Sequence, residues 1–349
     1  MNDGKGRKME PIDFVITWVD GNDPAWQEEK NRYSPHAGGD MSARRYRDWD
    51  NLQYWFRGVE KFAPWVHKVY FVTWGHIPPW LNTDDPRLQI VKHTDFIPEK
   101  YLPTFSSRAI ELNMHRIPGL SEQFVVFNDD FFLLAPVRET DFFRDGLPCA
   151  EAALDVNCVI TRTSGGKKIP LHSLYTAMIC NTILINRNFS MRSSLSRHWK
   201  KWFCPRYGKD LFKTLLLLPW WQFPGFRYEH LPYSFLKSTF ERVWAEEPEM
   251  LENASAHRFR RTTDVSTPVI TLWQIAEGSF SPRSRSFGEY LCINGNERND
   301  RKICEVIRGG RKKVVCVNDS CPDELFEERK RMLNECFEKV FPEKSGFEK

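Results

Sequence analysis

Residues 123–136 read QFVVFNDDFFLLAP, an apolar, β-rich run broken in the middle by Asn128, Asp129 and Asp130. Consecutive apolar residues such as 124–127 have the pattern of a strand buried on both faces of an α/β sheet. Adjacent carboxylates at the end of such a strand are costly to hold unless something cationic neutralises them. A hard divalent ion is the natural counter-charge, because Mg²⁺ takes oxygen ligands, often one or two carboxylates together with substrate phosphates. The competing reading is a plain turn, for which Asn-Asp-Asp is good chemistry.

With 349 residues, 41% of them hydrophobic, the chain can build one large α/β domain or two modest ones. Its 13 Trp and 26 Phe suit a core and equally suit stacking on sugars or bases. Lys plus Arg exceed Asp plus Glu by 50 − 46 = 4, which is compatible with phosphate-bearing ligands and gives no reason to expect nucleic acid as a partner. The opening MNDGKGRKME is polar, so neither a signal peptide nor an N-terminal anchor is expected. Nine Cys without a CxxC pair predict reduced thiols in a cytoplasmic protein, and the spacing of Cys316 and Cys321 is not that of a zinc site. The chain has no GxGxxG or GxxxxGK[ST], so neither a dinucleotide fingerprint nor a P-loop is present.

The order of elements points to a mostly parallel sheet. Strands are expected at 12–19 (IDFVITWV), 68–73 and 88–92, and a helix at 52–62 with Leu52, Phe56, Val59 and Phe62 on one face. The turn 20–24 follows the first strand, where ligands bind in open α/β sheets; Gly21 would let a ligand approach and Asp20 would bond a ribose or base, unless this is an ordinary βα loop. Residues 33–40 read as a Pro/Gly-rich mobile loop. Residues 104–107 are expected to cap a helix running through Glu111 to His115. Further on, 178–186 (MICNTILIN) looks strand-like, 233–245 and 268–276 helical, and 323–341 a charged C-terminal helix. The SGGKK at 164–168 reads as a flexible basic turn, and the basic run 308–313 as a solvated one.

At this point the sequence resembles the Stealth family of sugar-1-phosphate transferases, which includes bacterial capsule polymerases and the catalytic subunit of N-acetylglucosamine-1-phosphotransferase. Four blocks carry the likeness: IDFVITWVDGNDP at 12–24; 47–130, from Arg47-Asp48 through SSRAIE to NDD; 230–260, from HLP to HRFR; and VCVND at 315–319. The resemblance implies an A-type glycosyltransferase-like, Rossmann-like α/β sheet with inserted segments. It places a single catalytic domain at 10–345, divided into a nucleotide-sugar and metal-binding half (10–136), a variable insertion (137–228) that contacts acceptor or membrane, and a second half (229–345) completing the site. The implied reaction moves sugar-1-phosphate from a nucleotide-diphosphate sugar, a UDP-sugar such as UDP-GlcNAc, to a glycan hydroxyl, releasing a nucleoside monophosphate in capsule or cell-surface polysaccharide synthesis. The alternative is a conventional metal-dependent glycosyltransferase that attacks the anomeric carbon.

The resemblance implies functional residues at Glu111, Asp130, His230 and Arg260, with Mg²⁺ or Mn²⁺ as cofactor. Candidate substrate-binding residues are Trp18, Asp20 and Gly21 in the first block, and Arg47, Asp48, Arg57 and Asn128 in the second. The residue types agree with that chemistry, since phosphoryl transfer needs charge neutralisation and positioning more than covalent help. Asp130, with Asn318 or Asp319, would hold the metal; Arg260 offers a planar fork for phosphate oxygens; His230 offers an imidazole that would accept a proton. Glu111 would orient that His, bind a sugar hydroxyl or support the metal. Taken alone, His230 also reads as a capping or surface His and Arg260 as part of a solvated run. Finally, Lys200, Lys201, Arg206, Lys209 and Lys213 lead into Leu215 to Leu218, Trp220, Trp221 and Phe223. That composition suits a segment lying at the inner face of the plasma membrane beside a lipid-linked acceptor, or else a buried helix or subunit contact.

Overall fold

The computed structural model describes residues 10–34, 46–158 and 173–349, together with the backbone of the hairpin strands Thr163–Ser164 and Lys167–Lys168. Its centre is a sheet in which β1 (Ile12–Thr17), β2 (Val69–Thr73), β3 (Leu88–Lys92) and β4 (Gln123–Asn128) run parallel in the order β4-β1-β2-β3. Alternation along these strands feeds two cores. Phe14, Ile16, Phe71, Val125 and Phe127 face one side, while Val15, Tyr70, Val72, Phe124 and Val126 face the other. Both faces are covered, which is why the strands read as unbroken apolar runs. The protein is a mixed α/β fold with a parallel sheet, as the strand–helix order predicts.

The first core is closed by α2 (Leu52–Phe62), whose Trp55 and Phe56 are fully buried, and by the C-terminal helix Phe326–Val340. After β4 the chain makes a turn at Asp129-Asp130 and continues as β5 (Phe131–Leu133) in a different sheet. There β5 pairs antiparallel with the strand Val314–Asp319, which pairs parallel with Gly288–Ile293. The paired carboxylates therefore stand where the chain leaves one sheet and enters another.

Several elements differ from the sequence expectation. Residues 178–186 are not a strand; they lie inside the helix Ser173–Asn188. Ala177, Asn181, Leu184 and Ile185 are buried at helical spacing against the core that includes the helix Pro268–Glu277, while Ile183 is 49% exposed. The β-branched content misled, because tertiary packing overrides weak local propensity. Residues 233–236, expected to open a helix, instead form an edge strand antiparallel to β4, and the helix begins at Lys237. Within 104–107, expected to cap α3 (Ser107–Leu112), the Ser106 hydroxyl makes no capping bond and is buried with no partner among the described residues, while the Thr104 hydroxyl accepts from the Ser106 N–H at 3.3 Å. Cys304 and Cys336, expected as reduced thiols, form a disulfide with a Cα–Cα distance of 5.7 Å. It joins the helices Glu297–Gly309 and Phe326–Val340, whose packed faces bring together residues too far apart in sequence to show a short-range signature. The loop expected at 33–40 lies, beyond Ser34, outside the described residues, as do the centre of the SGGKK turn and residues 41–45.

In a strand Ile183 and Ile185 would share a face; in this helix they do not. Ile185→Ala should cost about 2–5 kcal/mol, the range for emptying a buried aliphatic site, whereas Ile183→Ala should stay within about 0.5 kcal/mol. Urea denaturation of the two variants checks this; equal losses would mean both side chains are buried.

Candidate functional site

The turn between the sheets is closed by contacts from distant parts of the chain. Cys316 sits opposite Phe131 in the register of the second sheet, and its thiol donates to Asp130 Oδ2 at 3.2 Å. His230 Nε2 lies 3.6 Å from the same oxygen. One ligand atom each from Asp130, His230 and Cys316 falls within 4.8 Å of the others. The remaining oxygen, Asp130 Oδ1, is buried and has no hydrogen-bond partner among the described residues.

The electrostatics follow from that crowding. Burial alone would raise the Asp130 carboxyl, but His230 together with contacts from Cys316 and Asn318 carries it below the ordinary value. Burial, reinforced by the Asp130 charge, pushes the Cys316 thiol far up, so Cys316 is a hydrogen-bond donor and not a thiolate. The Asp129 carboxyl is pushed up to about 7, by burial first and then by Asp130 and Asp48. Its side chain is nevertheless open to solvent, so the burial acting on it is that of a crowded cleft and not of a sealed core. A divalent cation fits here: the buried Oδ1 of Asp130 is an oxygen ligand with no hydrogen-bond partner among the described residues, on a carboxyl held below its ordinary pKa. Because Cys316 stays protonated, the ligands on offer are Asp130, His230 and the Asn318 amide that contacts Asp130.

Around this cluster the structure brings the other predicted residues together. The His230 ring is held by the Tyr228 hydroxyl at Nδ1, 3.1 Å away, and by an edge contact with Phe131 at 4.9 Å. Glu111, on α3, accepts from the Thr267 hydroxyl at 2.5 Å. Arg260 donates through Nη2 to the Ser107 hydroxyl at the start of the same helix. Two cavities meet at this wall, one of about 890 Å³ and one of about 130 Å³, and both are lined by Ser107, Glu111, Asn128 and Arg260. The larger also takes in His230, Asn318, Arg227, Arg285 and Lys312. The smaller is an aromatic slot with Trp18, Trp26, Tyr46 and Phe105 on its walls and Asp129 at its edge.

Other predicted residues are placed differently. Gly21 does make a close approach, but to the chain itself: a Cβ there would stand 1.8 Å from the Tyr46 carbonyl oxygen. Asp20 accepts from the Asn22 backbone N–H at 2.8 Å and so closes its own turn. Asp48 accepts from the Trp18 indole at 3.3 Å and supports the aromatic slot from behind. Arg47 and Asp319, expected at the substrate and the metal, bind each other: Arg47 Nε and Nη2 reach Asp319 Oδ2 and Oδ1 at 2.5 and 2.6 Å. The Trp49 indole and the Cys321 N–H also donate to Asp319, which is not among the residues grouped around Asp130. Arg57 lines neither cavity; it forks onto Glu348 at 2.9 and 2.8 Å and bonds the Phe341 carbonyl, tying α2 to the C-terminal segment. Sequence reasoning missed Cys316, Tyr228 and Lys312. Cys316 is placed by its register against Phe131, which no local pattern shows, and Lys312 belongs to a basic run that by composition reads as a solvated turn.

The paired aspartates, the His230 imidazole, the cation-lined cleft and the aromatic slot therefore stand together beside the C-terminal ends of the parallel strands. Residues 10–38 match the Stealth protein CR1, conserved region 1; residues 45–149 match CR2, conserved region 2; and residues 305–349 match CR4, conserved region 4. The capsular polysaccharide phosphotransferase WcwK of Streptococcus pneumoniae is 38% identical over 98% of this chain and 99% of its own length. The receptor polysaccharide phosphotransferase WefC of Streptococcus oralis is 39% identical over 97% and 100%. The exopolysaccharide phosphotransferase cps2G of Lactiplantibacillus plantarum is 38% identical over 97% and 96%. The chain belongs to the Stealth family, and it is an enzyme, a phosphotransferase. Among solved structures, the galactosyltransferase LgtC in complex with donor and acceptor sugar analogues aligns over 92% of this chain and 95% of its own, with 8% identity and a TM-score of 0.37.

The contrast between the two carboxylates is testable. Asp130→Asn should abolish Mn²⁺ binding, followed by electron paramagnetic resonance, while leaving the melting temperature nearly unchanged. Asp319→Ala should instead retain Mn²⁺ binding and lose about 1.5–3 kcal/mol of stability, because it strands the Arg47 fork. Loss of Mn²⁺ binding in both would return Asp319 to the metal site.

Proposed function

We propose that the protein transfers sugar-1-phosphate from a nucleotide-diphosphate sugar, a UDP-sugar, to a hydroxyl of a growing glycan on a lipid carrier at the cytoplasmic face of the membrane, in capsule or cell-surface polysaccharide synthesis. The observation that carries this reading is the wall shared by the two cavities, where Glu111, Asn128 and Arg260 stand between an aromatic slot and a wide, cation-lined cleft that holds His230. A nucleotide base suits the slot, through stacking, and a diphosphate suits the wall. The wide cleft is large enough for a glycan end. Trp18, with Asp48 behind it, would hold the base.

Asp130 and Asn318 would hold Mg²⁺ or Mn²⁺, which when bound neutralises charge on the diphosphate. The Arg260 guanidinium, oriented by Ser107, would grip phosphate oxygens through its planar fork. In the tautomer where His230 Nδ1–H donates to the Tyr228 hydroxyl, Nε2, which lies 3.6 Å from Asp130 Oδ2, would accept the proton of the acceptor hydroxyl, and the Asp130 carboxylate would then stabilise the imidazolium. The acceptor oxygen then bonds to the phosphorus carrying the sugar. The bond from that phosphorus to the bridging oxygen breaks, and the electron pair leaves on the nucleoside monophosphate. The sugar–oxygen bond is untouched, so the anomeric configuration is kept. Glu111, bonded to Thr267 at the wall, would position the sugar.

The released nucleotide tests this directly. Incubation with UDP-sugars and glycan acceptors should release UMP; release of UDP would overturn the reading in favour of attack at the anomeric carbon. His230→Ala should slow transfer by about 10²–10⁴-fold, the usual worth of a general base, with donor affinity kept. Arg260→Lys should impair turnover strongly despite the conserved charge, and near-normal turnover of that variant would show that the fork is not used.

A further inference from the structure

The helix Asp210–Leu217 and the turn after it present an inverted pattern to solvent. Thr214 and Leu217 are buried, whereas Phe212, Leu215 and Leu216 share the outward face and are 67%, 51% and 61% exposed. The chain then exposes Trp220 by 47% and Trp221 by 74%. An outward face this apolar marks an interaction surface. Phe223, expected to belong to the same patch, is instead in the core.

These side chains are held outward by a rigid base. The Thr214 hydroxyl accepts from the Leu154 N–H at 3.1 Å. Asn186 clamps Phe223 at both its N–H and its carbonyl, each at 2.9 Å. Asp210, at the helix start, binds Arg227 and Arg285, both of which line the large cavity. The exposed face is thus fixed to the rim of the cleft assigned above to the acceptor.

We propose that this face docks on a bilayer surface bearing anionic headgroups. Arg206 and Lys209 are exposed beside it, and the acidic residues tied to the face are engaged: Asp155 by Lys213 at 2.7 Å, and Asp210 by the two arginines. A second copy seated on the same face would set these cations against their own equivalents, whereas anionic headgroups meet them favourably. Trp and Leu at such a boundary sit at headgroup depth. Eight helical residues extend about 12 Å, well short of the roughly 30 Å hydrocarbon core, so the contact is peripheral. Among the described residues no helix is long and apolar enough to cross a membrane. The docking serves the proposed lipid-linked acceptor, on which reading its purpose rests, but it is measured without donor or acceptor.

Flotation of the full chain with vesicles of phosphatidylglycerol and phosphatidylcholine in equal parts, at low salt, tests it. The native chain should float, and raising the salt should weaken binding. Combined Leu216→Ser and Trp221→Ser, both at exposed positions, should reduce the bound fraction about tenfold or more while the melting temperature holds. Failure of the native chain to float, or equal flotation of the variant, overturns the proposal. So does a native dimer in sedimentation that the same substitutions convert to monomer, which would assign the face to a second copy. UMP release by a chain that does not float would leave the reaction standing and remove only the docking surface.

Discussion

The Asp130 carboxylate is the constraint on which the rest of the site depends. It is ionised at the junction of two sheets, where burial alone would favour its neutral form. The structure supplies one oxygen with a thiol donor from Cys316 and an imidazole from His230, and leaves the other oxygen without a hydrogen-bond partner among the described residues. Three separate stretches of chain are therefore tied to one atom pair. The strand Val314–Asp319 must pair with β5 to deliver Cys316 and Asn318, and the segment carrying His230 must lead into the edge strand that pairs with β4. Cys316 and Asn318 are positioned by strand register, while Asp130 stands in the turn between two strands and His230 in the segment just before the edge strand, so each is anchored by an adjoining or containing strand.

The division of the cleft follows from the same arrangement. Strand β1 delivers Trp18 to the aromatic slot, and β4 delivers Asn128 to the wall between the cavities. Helix α3 contributes Ser107 and Glu111 from consecutive turns, so one short helix fixes both the partner of Arg260 and the acid of the wall. Basic residues elsewhere are spent on structure. Arg47 locks Asp319, and Arg57 locks the C-terminal segment through Glu348. Each is a forked guanidinium–carboxylate contact, a geometry that fixes orientation as well as charge.

Where residue type and local pattern carried the information, the reading of the chain held. The four parallel strands, α2 and the placing of Asp130 at a strand end all follow from apolar runs and turn residues. It failed at residues 178–186, where a β-branched run is folded into a helix by its neighbours, and at 233–236, where a short segment is drawn into the sheet edge by β4. Both are cases in which packing energy over many contacts exceeds a local preference worth a fraction of a kcal/mol per residue, on the order of the propensity scales.

By itself, the sequence determined the fold class, the acidic strand end and the family blocks, because each is written in contiguous residues. Only the tertiary structure decided which polar residues meet. Arg47, Arg57 and Asp319 carry the same chemistry as Arg260 and Asp130, and nothing local distinguishes a guanidinium that grips a carboxylate 272 residues away from one that faces a cleft. Cys316 has no legible role in the sequence until its register against Phe131 sets it beside Asp130. Contacts between residues far apart in sequence are fixed by how sheets pair and pack, and that is settled by the whole core at once.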